Sequence, residues 1–223
     1  MHRRSLLAAA LVAPLARPAA AQDARARTLR FMPQAALASL DPVFSPSTII
    51  TTHAYCVFDT LYGADRSLTA RPQMAEGHTI SDDGRIVRIR LRDGLLWHDG
   101  EPVRAADCVA SIKRWGSRDG FGQLLLRAAD DLSAADDRTI VFRLKRPFPA
   151  LVEHMIGSGP WRFVAAEYVQ GARSGYVRNE AYVPRSEPAE GATGGKRVHF
   201  DRMELIWIPD GGTAAAALRT GEI

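Results

Sequence analysis

Apolar and polar residues alternate in several short stretches of the chain, and each such stretch predicts a half-buried strand. Thr28-Leu29-Arg30-Phe31-Met32 is the first. Val87, Ile89 and Leu91 alternate with Arg88, Arg90 and Arg92, which sets one face in a core and the other in water. Ile140, Phe142 and Leu144 alternate with Val141, Arg143 and Lys145, and Met203, Leu205 and Trp207 form a last strand. Shorter extended pieces are expected at Leu61 to Asp65 and Leu95 to Trp97, with strands from Trp161 to Val183 broken by Gly171 and Gly175. Helical spacing appears from Ser47 to Thr60, with Ile49, Ile50, His53, Tyr55, Val57 and Phe58 along it. It recurs from Arg104 to Trp115, where Cys108, Val109, Ile112 and Trp115 share a side, and in short helices at Phe148 to Met155 and Ala214 to Thr220. Gly221 is placed to cap the last. Ser81-Asp82-Asp83-Gly84 carries hairpin-turn chemistry, while Pro33 to Pro46 and Ser186 to Gly195 read as loops. Helices and strands mix without strict alternation, so the class is α+β (mixed α/β). The expected core is Val87, Ile89, Leu91, Val109, Ile112, Ile140, Phe142, Leu144, Leu205 and Trp207.

Composition narrows the class. Of 223 residues, 46% are apolar and 24% charged, ample apolar material to offset the entropy of ordering. With 18 Gly, 13 Pro and 2 Cys, neither a collagen-like chain nor a disulfide scaffold is possible. No run of about 18 uncharged apolar residues occurs, which excludes a polytopic membrane protein.

The N-terminus changes the charge picture. Met1-His2-Arg3-Arg4 is a short positive segment, Ser5 to Ala16 an Ala/Leu-rich run too short to span a bilayer, and Ala19-Ala20-Ala21 supplies small residues for cleavage before Gln22. This is the pattern of a secretory signal peptide at residues 1–21. Pro14, Arg17 and Pro18 break the run where a core helix would continue. The Arg3-Arg4 pair faintly resembles a twin-arginine signal and leaves the export route open. Removing Arg3, Arg4 and Arg17 leaves 26 basic against 25 acidic residues, a net charge of +1 instead of +4. Lys and Arg are scattered among Asp and Glu without a basic stripe, so nucleic acid is not an expected partner. Cys56 and Cys108 lie in apolar helical stretches and are read as unpaired core thiols.

Catalytic chemistry is not visible. Gly157-Ser158-Gly159-Pro160 lacks the lysine and the strand-to-helix context of a phosphate loop, and it fails the Gly-x-Ser-x-Gly pattern of a nucleophile elbow. No two of His2, His53, His78, His98, His154 and His199 lie three to five residues apart, so no compact metal pair exists and no cofactor is expected. His98 and Asp99 are sequence neighbours, whose side chains point apart.

Residues 70–115 resemble a known family. Ala70-Arg71-Pro72-Gln73-Met74-Ala75-Glu76 is followed by Ser81-Asp82-Asp83-Gly84, then Ile89-Arg90-Leu91-Arg92-Asp93-Gly94-Leu95-Leu96-Trp97-His98-Asp99-Gly100-Glu101-Pro102, then Ala105-Ala106-Asp107-Cys108-Val109-Ala110-Ser111-Ile112-Lys113-Arg114. This order is similar to the family 5 extracytoplasmic solute-binding proteins of ABC importers, the dipeptide, oligopeptide and nickel-binding group. Ser39-Leu40-Asp41-Pro42, Gly157-Ser158-Gly159-Pro160-Trp161-Arg162-Phe163, Arg178-Asn179-Glu180-Ala181-Tyr182 and Ala217-Leu218-Arg219-Thr220-Gly221-Glu222-Ile223 extend the resemblance over nearly all of residues 22–223. Arg104 stands where the family usually has Thr. An arginine cannot accept the orphan amide bonds of a helix start, which weakens that end by about 1 kcal/mol.

The resemblance implies the first lobe of a type II periplasmic-binding fold, a non-enzymatic function, and capture of a peptide or related small solute for a membrane permease. It implies a periplasmic monomer, with the chain stopping before the second lobe and shortened between Leu151 and Gly159. In the family the ligand meets the loop after the first strand and the start of the next helix, which here points to Gln34, Phe44, Ser47, Thr48 and Tyr55. Ser47 as a mere helix cap and Tyr55 as core packing are the structural alternatives. A lobe without its partner leaves an open surface, with expected affinity on the order of millimolar. A secreted hydrolase and a non-functional truncated remnant are the alternative functions. Mass spectrometry of the exported protein is expected to find Gln22 as the first residue; retention of Met1 refutes the signal.

Overall fold

A computed structural model describes residues 24–45, 47–149, 151 and 156–223. The expected signal at 1–21 lies outside them, as does most of the helix expected at Phe148 to Met155. The chain forms β1 (Thr28–Phe31), α1 (Thr48–Val57), β2 (Phe58–Thr60), β3 (Tyr62–Ala64), β4 (Ala70–Pro72), β5 (Ala75–Ile80) and β6 (Ile86–Leu91). There follow α2 (Ala105–Gly116), α3 (Gly120–Ala128), β7 (Ala129–Ala134), β8 (Thr139–Leu144), β9 (Ile156–Ser158), β10 (Trp161–Val169), β11 (Arg173–Arg178), β12 (Arg202–Ile206) and α4 (Gly211–Thr220). Two four-stranded sheets carry the fold, in the orders β1-β12-β11-β10 and β5-β6-β8-β7, with small two-stranded sheets β2-β9 and β3-β4 beside them. The mixed α/β class is as expected.

Each large sheet has its own core. In the second sheet the alternating residues Val87, Ile89, Leu91, Ile140, Phe142 and Leu144 pack with Cys108, Val109 and Ile112 of α2 and Leu125 of α3. In the first, Ile49, Ile50 and Val57 of α1 cover Trp161, Tyr176, Met203 and Leu205. Of the expected core only Trp207 is not buried: the chain leaves β12 at Ile206, and Trp207 is half-exposed beyond the strand, its amide bonded to the Ala172 carbonyl at 2.7 Å. Val141, expected on the water side, is buried at 4% exposure.

Several boundaries differ from the sequence reading. The first helix ends at Val57 rather than Thr60, because Gly159 donates its amide to the Val57 carbonyl at 2.8 Å and Phe58–Thr60 pairs with β9. Gly175 does not break a strand. It sits inside β11, where a side chain would collide with the Glu167–Arg202 ion pair that crosses above it. The helix α3 has good helix formers from Gln123 to Ala128, but its first turn, Gly120-Phe121-Gly122, has poor propensity. Its start is held instead by Asp119, whose carboxylate accepts from the amides of Phe121 and Gly122, both at 2.9 Å. The glycines permit a close crossing: a Cβ on Gly122 would stand 2.7 Å from the Cα of Gly116. The start of α2 is not left weak by Arg104 either, because Asp107 reaches back to accept the Arg104 amide at 2.9 Å. Both cysteines are free thiols, Cys108 buried and Cys56 half-buried, and burial raises them to about 12 and about 11.

His53 is the polar exception in the core of the first sheet. At 2% exposure its Nδ1 lies 2.8 Å from the Tyr176 hydroxyl, and the Phe163 ring stands edge-on at 5.4 Å. Burial lowers its pKa from 6.5 to about 4. The unfolded chain therefore takes up a proton at a pH where the fold still refuses it, and stability falls as pH falls through that window. Urea unfolding at pH 4.5 is expected to show about 2–3 kcal/mol less from this group than at pH 7, and His53→Phe to remove that part of the pH slope.

Candidate functional site

The strands β1 and β12 run parallel, with Phe31 beside Leu205, so the segments that follow them leave the sheet at one end. In open α/β sheets ligands gather outside the carboxyl ends of strands. The loop after β1 is fastened here by its own backbone. Tyr168 donates its hydroxyl to the Leu37 carbonyl at 3.0 Å, and Gln170 its amide to the Ala38 carbonyl at 2.9 Å. Asp41 folds the next turn, accepting from the Val43 amide at 3.0 Å, while its own carbonyl takes the Phe44 amide at 3.1 Å. Arg114 of α2 grips the same carboxylate with both terminal nitrogens and holds it below the usual carboxylate range. The Arg118 guanidinium then lies 5.1 Å from the centre of the Phe44 ring.

All five expected site residues are on the surface. Gln34 is exposed in this loop and Phe44 is 66% exposed. Ser47 stands at the cap position of α1, but its hydroxyl makes no capping bond and is open to solvent, which overturns the reading of it as a mere cap. Thr48, Thr51 and Tyr55 continue the exposed stripe of α1. Tyr55 is 43% exposed and so is not core packing; the Lys196 ammonium sits 5.6 Å from its ring centre. The residues are spread along loop and helix, Thr48 and Tyr55 two turns or about 10 Å apart. Phe44 faces the α2–α3 corner, and Tyr55 faces the segment that follows β11.

That segment is anchored by a buried polar cluster which the sequence reading did not single out. Asp59 is wholly buried in β2. Its carboxylate pairs with Lys196 Nζ at 2.7 Å and accepts from the Tyr182 hydroxyl at 2.9 Å and from Gln73 Nε2 at 3.3 Å. Gln73, also wholly buried, accepts the Gly194 amide at 2.9 Å. Burial, with the Asp59 charge beside it, pushes the Tyr182 phenol well up. These four residues lie up to 137 positions apart and share no spacing motif, so no local signal announces them. Arg114, in the last turn of α2, and Arg118, in the turn just beyond its end, were equally unmarked.

Among the described residues no group of three or more His, Cys, Asp or Glu is placed to hold a metal ion, and no helix is long and apolar enough to cross a membrane.

Comparison with solved structures gives the class of fold. NikA of Brucella suis, solved in complex with Fe(III)-EDTA, aligns with a TM-score of 0.70 at 22% identity over 88% of this chain and 42% of its own. Listeria monocytogenes OppA bound to peptide aligns with a TM-score of 0.70 at 19% identity, over 88% and 45%. The fold is thus the type II periplasmic-binding fold. Residues 69–153 and 149–223 match the bacterial extracellular solute-binding proteins, family 5. The chain belongs to that family, whose members are solute-binding proteins rather than enzymes. The probable peptide ABC transporter periplasmic-binding protein y4tO of Sinorhizobium fredii is 43% identical over 215 residues, 84% of this chain and 40% of its own length. The glutathione-binding protein GsiB of Pectobacterium atrosepticum is 27% identical over 213 residues, 82% of this chain and 38% of its own. The chain therefore spans about 40% of the length of the curated relatives it matches.

Removing Lys196 tests the anchor. Lys196→Met leaves the Asp59 charge buried without its cation and is expected to destabilise the fold by about 3–5 kcal/mol in urea unfolding. The double variant Asp59→Asn, Lys196→Met is expected to recover much of that loss.

Proposed function

We propose that residues 22–223 form the first lobe of a periplasmic binding component of an ABC importer, which captures peptide solutes and presents them to a membrane permease. The observation that carries this reading is the 43% identity to a probable peptide ABC transporter periplasmic-binding protein. The geometry supports it. A loop held at Leu37, Ala38 and Asp41 presents Gln34 and Phe44 outward, and α1 presents the hydroxyls of Ser47, Thr48 and Thr51 in one stripe. Hydroxyls and an amide bond the backbone groups common to all peptides, while Phe44 and Tyr55 offer apolar faces for side chains. The work is capture rather than reaction, with no cofactor. The protein acts as a monomer, exported through the signal at 1–21, and its partners are the solute and the permease.

The test is a peptide titration followed by nuclear magnetic resonance on the chain beginning at Gln22. Amide shifts are expected to cluster at Gln34, Phe44, Ser47, Thr48 and Tyr55, with affinity on the order of millimolar for this single lobe. Shifts clustered instead on the arginine-bearing face of β6 and β8 show the site to be misplaced.

A further inference from the structure

We propose that Arg118 is a ligand-binding residue of this site, taking an anionic group of the solute, a carboxylate such as the free C-terminus of a short peptide. The proposal rests on the peptide-binding reading above. Two arginines, Arg114 and Arg118, reach the loop after β1 from one turn of chain, and their situations differ. Arg114 is neutralised by Asp41. Arg118 is exposed and lies over the Phe44 ring; its charge helps to lower the Asp41 carboxyl, but among the described residues no carboxylate is in ion-pair contact with it. Two acids of the loop and the corner already have other partners: Asp41 is held by Arg114, and Asp119 by the amides at the start of α3.

The stack and an ion pair use different parts of a guanidinium. A cation–π contact engages the positive charge of the guanidinium and not its N–H donors, which stay available to match the two oxygens of a carboxylate. The Phe44 ring, its centre 5.1 Å from the Arg118 guanidinium carbon, therefore holds its charge without consuming its donors. The backbone beneath it is also fixed. The Arg118 and Asp119 amides both donate to the Trp115 carbonyl at 3.0 Å, and the Ser117 hydroxyl closes on the Arg114 carbonyl at 2.7 Å. Close packing of Gly116 on Gly122 locks the two helices at this corner. A fixed corner loses little freedom when a ligand is bound, which is what a binding cation needs.

Trialanine with a free C-terminus and trialanine amide, titrated separately into the chain beginning at Gln22, decide the matter. The free acid is expected to bind about tenfold more tightly, as a charge-assisted pair implies, and the preference to shrink as salt is raised. Arg118→Gln is expected to abolish the preference and leave the affinity for the amide unchanged. Equal binding of the two peptides by the wild type, or a preference that survives Arg118→Gln, overturns the proposal and leaves the peptide reading standing. Binding of neither peptide overturns both. Should the variant disturb the fold, the side-chain Nε–Hε resonance of Arg118 in the wild type gives the answer. It is expected to move with the free acid and not with the amide, and a stationary resonance overturns the proposal.

Discussion

Asp59 carries a carboxylate into a place from which water is excluded, and a large part of the chain is arranged around satisfying it. An ionised group in such a position is tolerated only when paired and hydrogen-bonded. Here the partners are an ammonium, a phenol, a side-chain amide and the Thr60 backbone amide. They come from different segments: Gln73 from the turn between β4 and β5, Tyr182 and Lys196 from the long connection before β12. That connection is rich in Gly, Pro and polar residues and buries little of its own. Its place is set by what it must do for Asp59, aided by Arg185, whose guanidinium donates to the carbonyls of Gln73 and Ala75 at 3.2 and 3.0 Å. The same ion pair brings the Lys196 ammonium to the ring of Tyr55, so the buried charge also governs one end of the exposed candidate surface.

The other end is governed by a pair of a different kind. Asp41 and Arg114 are partly solvent-exposed, and exposed pairs contribute little to overall stability. Their effect is local. A loop without regular structure has many conformations, and each tie removes some of that freedom before a ligand arrives. With Tyr168 and Gln170 holding the loop to β10 and its turn, and Arg114 holding it to α2, the loop bridges the two sheets. Because Arg114 keeps the Asp41 carboxyl below its ordinary range, the grip holds at neutral pH and is lost only when acid protonates Asp41 in the fold.

What the sequence made legible follows from how local each signal is. Period-two alternation is a property of neighbouring residues, so Val87, Ile89 and Leu91 could be assigned to a core without knowing what lay opposite. The same holds for the amphipathic face of α2. The start of α3 was obscured because its glycines serve the approach to Gly116, a tertiary purpose that local propensity scores as a defect, although Gln123 to Ala128 are good helix formers. Trp207 was misassigned because alternation does not say where a strand stops. In the site, the loop and helix could be located from the family resemblance, but the residues that organise them could not. Asp41 and Arg114 are 73 positions apart, and Asp59 and Lys196 137, so their partnership exists only once the sheets have formed.

The two ends of the exposed candidate surface are alike in form and unlike in charge. At each a basic side chain lies over an aromatic ring, Arg118 over Phe44 at 5.1 Å and Lys196 over Tyr55 at 5.6 Å. Lys196 is committed to a wholly buried carboxylate, so its charge is balanced from within and the Tyr55 end presents chiefly an aromatic face. Among the described residues Arg118 is in ion-pair contact with no carboxylate, and the Asp41 carboxylate that feels its charge is already held by Arg114, so the Phe44 end presents a cation. Between them the stripe of α1 offers only neutral hydroxyls from Ser47, Thr48 and Thr51. On the proposed role of Arg118, a chain-like solute with one anionic end has a preferred direction along this surface. That direction originates in the interior, in which of the two cations is given a buried counter-charge.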